Sequence, residues 1–291
     1  MSEPLRWRVG DVTVTRIVES GGASAPLFAS VSPSFLFSNL SKEAVQTQAW
    51  LKPHFATADG RLIASIHAFV VESRGKTIVV DTCVGNDKQR SIPFWNMLQG
   101  SFLDDMAGAG FPPESIDTVV CTHLHSDHVG WNTKLVDGAW EPTFPNARYL
   151  LARTEWEHAS NDPDPDTTTV LADSVRPIFD AGLVDLVDVP LLTGGIELVP
   201  TPGHTPGHMS VSVTSRGERA VITGDMMHHP SQIAHPEWRP PVDHDPDRAV
   251  ETRLAFLDEH ADTPTLVIGT HFAGPTAGHI VRDGSAYRFA E

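Results

Sequence analysis

The sequence predicts an α/β fold, on two observations. Short apolar runs with strand character recur along the chain, and from residue 117 onward they alternate with segments of helical pattern. Such alternation packs helices against the faces of a sheet. The chain has 291 residues, 40% hydrophobic and 20% charged, enough to bury a sizeable core. No internal repeat, low-complexity tract or linker-like stretch interrupts it, so residues 1–291 read as a single domain.

The first half reads as strands. Val12 to Val18 alternates, Ile63 to Val71 is largely apolar, and Lys76 to Val80 runs into the acidic turn Asp81-Thr82-Cys83-Val84-Gly85. Leu98, Phe102 and Met106, at four-residue spacing, predict an amphipathic helix over 94–109 that stops at Gly110 before Pro112 and Pro113. Further strands are expected at 117–122, 148–151, 195–200, 208–214, 219–223 and 265–269. Helices are expected near 129–134, 152–159, 168–181 and 246–260, the last opened by Asp245 as N-cap and Pro246 in the first turn.

Charge narrows the partners. A formal net charge of -16 disfavours nucleic acid and anionic membranes, because affinity for a phosphate backbone rests on Lys and Arg displacing counterions. The opening residues Met1 to Trp7 lack a basic segment followed by an apolar core, and no later stretch has the length of a membrane span. Cys83 and Cys121, the only cysteines, each end an apolar strand and read as reduced, packed thiols. A cytoplasmic location is the expectation.

The chemistry is concentrated in Thr122-His123-Leu124-His125-Ser126-Asp127-His128, which follows the apolar strand Thr118 to Cys121. Imidazole nitrogen and carboxylate oxygen are ligands that zinc and similar metals prefer, and alternation puts His123 and His125 on one side of an extended segment. Four donors in six residues can serve two metals. Chance clustering is the competing explanation, since the chain carries 15 His. Three further donors tell against it. His204 lies in Thr201-Pro202-Gly203-His204-Thr205-Pro206-Gly207-His208, Asp225 follows Val221-Ile222-Thr223-Gly224, and His271 follows Leu266 to Thr270. Each sits just past a strand's C-terminal end, where α/β proteins build their sites.

In this order, with Asp81 upstream, His123, His125, Asp127, His128, His204, Asp225 and His271 resemble the full motif set of the metallo-β-lactamase superfamily. The resemblance spans nearly the whole chain. It implies a four-layer αβ/βα sandwich of two mixed β-sheets with helices on the outer faces and two metals at one edge. One metal would take His123, His125 and His204, the other Asp127, His128 and His271, with Asp225 between them. Two divalent ions sharing a water lower its pKa towards about 7, so a bridging hydroxide would be present at neutral pH without a serine or cysteine nucleophile. Zinc, manganese, iron and cobalt all suit this donor set. Asp127 would also orient the nucleophile or pass a proton to the leaving group.

Individual positions narrow the superfamily. Flavodiiron oxidoreductases of this fold carry glutamate where His125 stands, which disfavours iron redox chemistry. The best-known β-lactam-cleaving members lack the Asp225 carboxylate or carry cysteine there. RNA-processing members bring a basic arm or an extra domain, and glyoxalase II-like thioesterases a basic C-terminal helical region, neither of which is evident here. The segment from Thr201 to Ser210 looks like that of acyl-homoserine lactone lactonases, whereas Gly224-Asp225-Met226-Met227-His228 and the lengthy N-terminal half look more like methyl parathion hydrolase. A dinuclear hydrolase of a small hydrophobic lactone or carboxylic ester is the leading expectation, with a phosphotriesterase as alternative. Members of this branch are often homodimers. A non-catalytic scaffold that has kept the fold is disfavoured by the intact donor set.

Less distinctive residues complete the expectations. His228 stands where lactonases of this type have a tyrosine, and a hydrogen bond to the substrate oxygen is its expected role, against that of a surface histidine in a proline-rich loop. Asp81 is expected to brace the site rather than bind metal. His208 reads as a turn residue packed beside the site. Some of Trp131, Phe94, Trp95, Trp238 and Phe272 are expected to line an apolar pocket, with core packing the competing role.

Overall fold

The computed structural model describes residues 3–21, 31–38 and 40–291. Its sixteen described strands are β1 Arg6–Val9, β2 Val12–Gly21, β3 Ser65–Ser73, β4 Lys76–Val80, β5 Thr118–Cys121, β6 Thr133–Val136, β7 Ala139–Pro142, β8 Arg148–Ala152, β9 Val184–Val187, β10 Leu191–Thr193, β11 Ile196–Pro200, β12 Met209–Ser215, β13 Glu218–Ile222, β14 Leu266–Ile268, β15 Ala277–Asp283 and β16 Ala286–Ala290. The α-helices are α1 Pro33–Leu36, α2 Lys42–Thr47, α3 Phe102–Gly108, α4 Arg153–Ala159, α5 Pro165–Val170, α6 Arg176–Asp180, α7 Ser231–Ala234 and α8 Pro246–His260.

Two large mixed sheets result, as the α/β reading expects. One runs β1-β2-β3-β4-β5-β8-β9 and the other β10-β11-β12-β13-β14-β15-β16, while β6 and β7 form a separate hairpin. Contacts gather the chain into two compact units, Met1–Glu19 with Ile66–Leu198 and Ser20–Ser65 with Val199–Glu291. No helix among the described residues is long and apolar enough to cross a membrane.

In the first unit, β4, β5, β8 and β9 run parallel, with Val80 opposite Val120 and Cys121 opposite Leu151. Strands covered on both faces read as continuous apolar runs, which explains Thr118-Val119-Val120-Cys121 and its buried interior. In the second unit, β13 and β14 are parallel, with Ile222 opposite Ile268. Asp225 and His271 each follow that pair by three residues, so the register brings them together. The second unit's core joins Phe37, Leu51, Phe55, Leu257, Phe272 and Phe289. Phe55 meets Phe272 and Phe289 edge to face at ring separations of 6.5 and 5.8 Å.

Helix α8 starts as expected, with the Asp245 carboxylate accepting from Arg248 N. Two expectations need correction. The helix over 94–109 shrinks to α3, because upstream backbone groups are committed elsewhere. Met97 takes φ +54°, its N–H donates to Lys88 O, Asp87 N–H donates to Leu98 O, and the Asn86 amide brackets Gly100. Residues 129–134 form a single 3-10 turn at Gly130–Asn132 and then enter β6. Here Gly130 N–H goes to Cys83 O and Trp131 N–H to Thr82 O.

The helix expected over 168–181 is present as α5, a π-helical turn at Leu171–Val175 and α6. Pro177 accounts for the turn, since it has no N–H for the carbonyl of Asp173 four residues earlier. Lys88 Nζ donates to that carbonyl at 2.8 Å, and Thr133 Oγ1 donates to it as well. Arg90 forms a two-pronged pair with the Asp173 carboxylate, at 2.7 and 3.1 Å.

Candidate metal centre

The first donor group occupies the loop after β5. His123 Nε2 and His125 Nδ1 face each other at 3.0 Å, and His128 Nε2 lies 3.7 Å from Asp127 Oδ1. The His123 and His128 ring centres are 4.0 Å apart. The sequence-predicted ligands of this unit therefore converge, His123 and His128 being fully buried and His125 and Asp127 partly open.

Asp81 holds this loop from the end of β4. Its Oδ1 accepts from Thr122 N–H at 2.7 Å, and its Oδ2 accepts from the Thr122 hydroxyl and from His128 Nδ1, both at 2.9 Å. Asp81 adopts φ +58°, a left-handed conformation that Asp tolerates better than most residues and that structures retain where surrounding contacts enforce it. Thr122 Oγ1, its proton given to Asp81, accepts from His123 Nδ1 at 3.1 Å.

Glu19, unmarked by any sequence signal, secures the neighbouring loop. Its carboxylate accepts from Val84 N–H, Gly85 N–H and Trp131 Nε1–H at 2.8, 3.0 and 2.7 Å. Burial pushes its pKa up to about 7 against the opposing pull of those three hydrogen bonds. Gly130 lets this loop close, since a Cβ there would meet Val84 O at 1.7 Å.

The second donor group is built from His204, Asp225, His228 and His271, all buried. Asp225 Oδ1 lies 3.0 Å from His271 Nε2, and its Oδ2 lies 3.6 Å from His204 Nε2 and 3.3 Å from His228 Nε2. One ligand atom from each of His204, Asp225 and His228 falls within 4.8 Å of the others. His228 is thus a buried member of the group, its ring stacked on His271 at 6.0 Å, and its backbone N–H donates to Gln232 Oε1.

Both groups fit a metal by the same test. A histidine that ligates through Nε2 commonly donates its Nδ1–H to an oxygen that fixes the tautomer. His271 Nδ1 donates to Ser65 O at 3.0 Å, His204 Nδ1 to Asp243 Oδ1 at 2.9 Å, His128 Nδ1 to Asp81 and His123 Nδ1 to Thr122. A carbonyl can only accept, so Nδ1 of His271 carries a proton, and the neutral ring then offers its Nε2 lone pair to a metal. The same holds for each of the four imidazoles in its neutral form.

Sequence reasoning missed Asp243, Ser65, Thr122 and Glu19. Asp243 is buried beside Arg253, and burial raises its pKa above the ordinary value against the nearby positive groups. No motif links it to His204, 39 residues away.

Of the aromatic candidates, Phe272 belongs to the core. Trp131 stacks on Phe102 at 6.0 Å, Trp95 packs edge to face against Phe94, and Trp238 lies flat on His235 at 4.2 Å.

Several known proteins similar to this chain are hydrolases by name. The solved structure "hydrolase AbOPH in beta lactamase superfamily" superposes with a TM-score of 0.78 at 26% identity, covering 99% of this chain and 97% of that one. AidC, described as a dizinc quorum-quenching lactonase in complex with its product, superposes equally well at 20% identity, covering 99% and 97%. Among curated proteins, an N-acyl homoserine lactonase of a Bacillus species is 26% identical over 54% of this chain and 61% of its own length. Metallo-beta-lactamase domain-containing protein 1 of Xenopus laevis is 32% identical over 54% of this chain and 56% of its own. The chain thus spans about three-fifths of the curated relatives it matches. The metallo-beta-lactamase superfamily model matches residues 64–280, a stretch that holds β4, β5, β11, β13, β14 and every donor described above, and the chain belongs to that superfamily.

Proposed function

We propose that this chain is a metal-dependent hydrolase with a two-metal, zinc-type centre that cleaves a small hydrophobic lactone or carboxylic ester. The observation that carries the reading is the set of four histidines whose Nδ1–H groups are each engaged by an oxygen, leaving Nε2 as a metal donor. In the assignment implied by the family resemblance, His123, His125 and His204 would hold one ion and Asp127, His128 and His271 the other, with Asp225 available to both. When bound, such a pair supplies an activated water at neutral pH and polarises the bond under attack. No nucleophilic side chain is needed.

The residues around that chemistry have separate tasks. Asp127, partly open to solvent, can take the proton released during attack and deliver it to the leaving oxygen. His228, fixed by its stacking on His271 and by its place beside Asp225, donates a hydrogen bond to the substrate oxygen as negative charge develops there. A His228→Ala protein with full metal content and unchanged kcat would remove that assignment.

The lactone and ester preference is supported by the lactonases among the relatives and by the segment from Thr201 to Ser210. A phosphotriester is the second reading, favoured by the Gly224-Asp225-Met226-Met227-His228 segment. Metal-stripped protein reconstituted with zinc, manganese or cobalt would be assayed on lactones, aryl esters, thioesters, phosphotriesters and β-lactams. Metal-dependent turnover is expected, with kcat/KM on a lactone or ester at least about tenfold above that on a phosphotriester, a margin of roughly 1.4 kcal/mol in transition-state binding. The reverse ranking would assign the phosphotriester, and no turnover on the panel would overturn the reading.

A further inference from the structure

We infer that His208 is a positioning residue that holds the backbone of Asp225 for metal binding, through a hydrogen-bond relay that locks its tautomer. The inference rests on the proposed function only in taking Asp225 as a metal ligand.

The protons of the relay can be assigned from one end. Ser210 Oγ donates to Thr223 O at 2.7 Å, because a carbonyl cannot donate. With its proton spent, Ser210 Oγ accepts from Thr201 Oγ1 at 3.0 Å. Thr201 Oγ1 in turn accepts from His208 Nδ1 at 2.8 Å, and Thr201 O lies 3.1 Å from the same nitrogen. The His208 proton therefore sits on Nδ1. Its Nε2 lone pair accepts the backbone N–H of Asp225 at 2.8 Å.

Geometry around Gly224 shows how closely the ring is fitted. Gly224 takes φ +56°, and a Cβ there would meet His208 Nε2 at 2.5 Å. The imidazole thus occupies the space that a side chain before Asp225 would need. The backbone of the same residue closes the loop that carries His204, since Thr201 N–H donates to the main-chain His208 O at 2.9 Å. One residue ties the His204 loop to the Asp225 backbone, and a buried N–H at Asp225 would lose its acceptor without it.

Two substitutions separate hydrogen bonding from space filling. His208→Gln places an amide oxygen near the former Nε2 position but discards the ring, whereas His208→Phe keeps the ring and discards the acceptor. Zinc affinity of each purified protein would be measured by competition with a chromophoric chelator. We expect His208→Phe to bind zinc about tenfold or more weakly and His208→Gln to stay within about threefold of the parent, the scale seen when partners of metal ligands are removed. Equal affinities in all three proteins, or a loss confined to His208→Gln, would overturn the proposal. Nitrogen NMR of the metal-free parent, labelled at histidine, gives a readout independent of whether the variants fold. A protonated Nδ1 and bare Nε2 at His208 are expected, and the opposite tautomer would overturn the relay. If the parent binds no zinc, the metal-dependent function fails together with this inference; if the parent binds zinc and His208→Phe binds it equally well, only the inference fails.

Discussion

Asp81 Oδ2 accepts a hydrogen bond from His128 Nδ1 at 2.9 Å while Asp81 Oδ1 accepts from Thr122 N–H at 2.7 Å. One carboxylate thereby fixes the tautomer of a metal donor and the start of the loop that carries it. Asn at this position can still accept from Thr122, but its amide would then present N–H to His128 Nδ1 and drive the proton to Nε2. Asp81→Asn is expected to lower metal affinity about 10- to 100-fold. Chelator competition checks this, and unaltered affinity would show that Asp81 does not set the tautomer.

Metal removal should reach stability as well as turnover. The donor groups bring carboxylates and imidazoles together in buried positions, and a bound cation offsets the cost of holding them there. Protein stripped with a chelator is expected to lose activity and to melt at a lower temperature, and both should recover with added zinc. At free zinc a hundredfold above its Kd the gain is about 2.7 kcal/mol, rising with concentration. A melting temperature indifferent to zinc would mean that the native state binds none.

What the sequence made legible, and what it hid, follows from distance along the chain. His123, His125, Asp127 and His128 announce themselves because one loop carries them all, and Asp225 and His271 because each ends an apolar strand. Their supports do not. Ser65 stands 206 residues from His271 and Asp243 stands 39 from His204, and neither a serine carbonyl nor a loop aspartate carries a pattern of its own. The strands β15 and β16, paired around Asp283 to Ala286, were likewise not anticipated. The helix expected over 94–109 failed for a related reason, since residues 86–88 took the backbone groups it needed.

A pH dependence is built into the first unit away from the metal donors. Lys88 is buried, with its Nζ on Asp173 O and Thr133 Oγ1 and 3.5 Å from the centre of the Trp140 ring. Burial lowers its pKa from 10.5 to about 7, and the nearby Asp173 only partly opposes this. Between about 7 and 10.5 the unfolded chain holds the proton that the native state has released, so stability rises with pH across that window and levels off on either side. The slope is on the order of 1 kcal/mol per pH unit at most. Denaturant unfolding at pH 7, 8 and 9 should show the rise in the parent and its absence in Lys88→Met.

Steric closure of the loop beside the donors can be tested with a pair of glycines. Gly130 and Gly108 both lie outside the left-handed region, so Ala is compatible with either backbone. They differ in what a Cβ would meet, Val84 O at 1.7 Å for Gly130 and nothing within 4 Å for Gly108. Gly108 ends α3, where Ala has the higher helical propensity. Gly108→Ala is therefore expected to be neutral or to stabilise by up to about 1 kcal/mol. Gly130→Ala must push apart the 82–85 and 129–131 segments, which are joined by Gly130 N–H to Cys83 O and Trp131 N–H to Thr82 O. A loss of about 3 kcal/mol or more is expected, together with weaker metal binding, because Thr82 N–H also donates to His128 O at 2.7 Å. Urea unfolding and zinc titration of the two variants measure both effects, and a Gly130→Ala protein as stable as the parent would show that this backbone contact is not required.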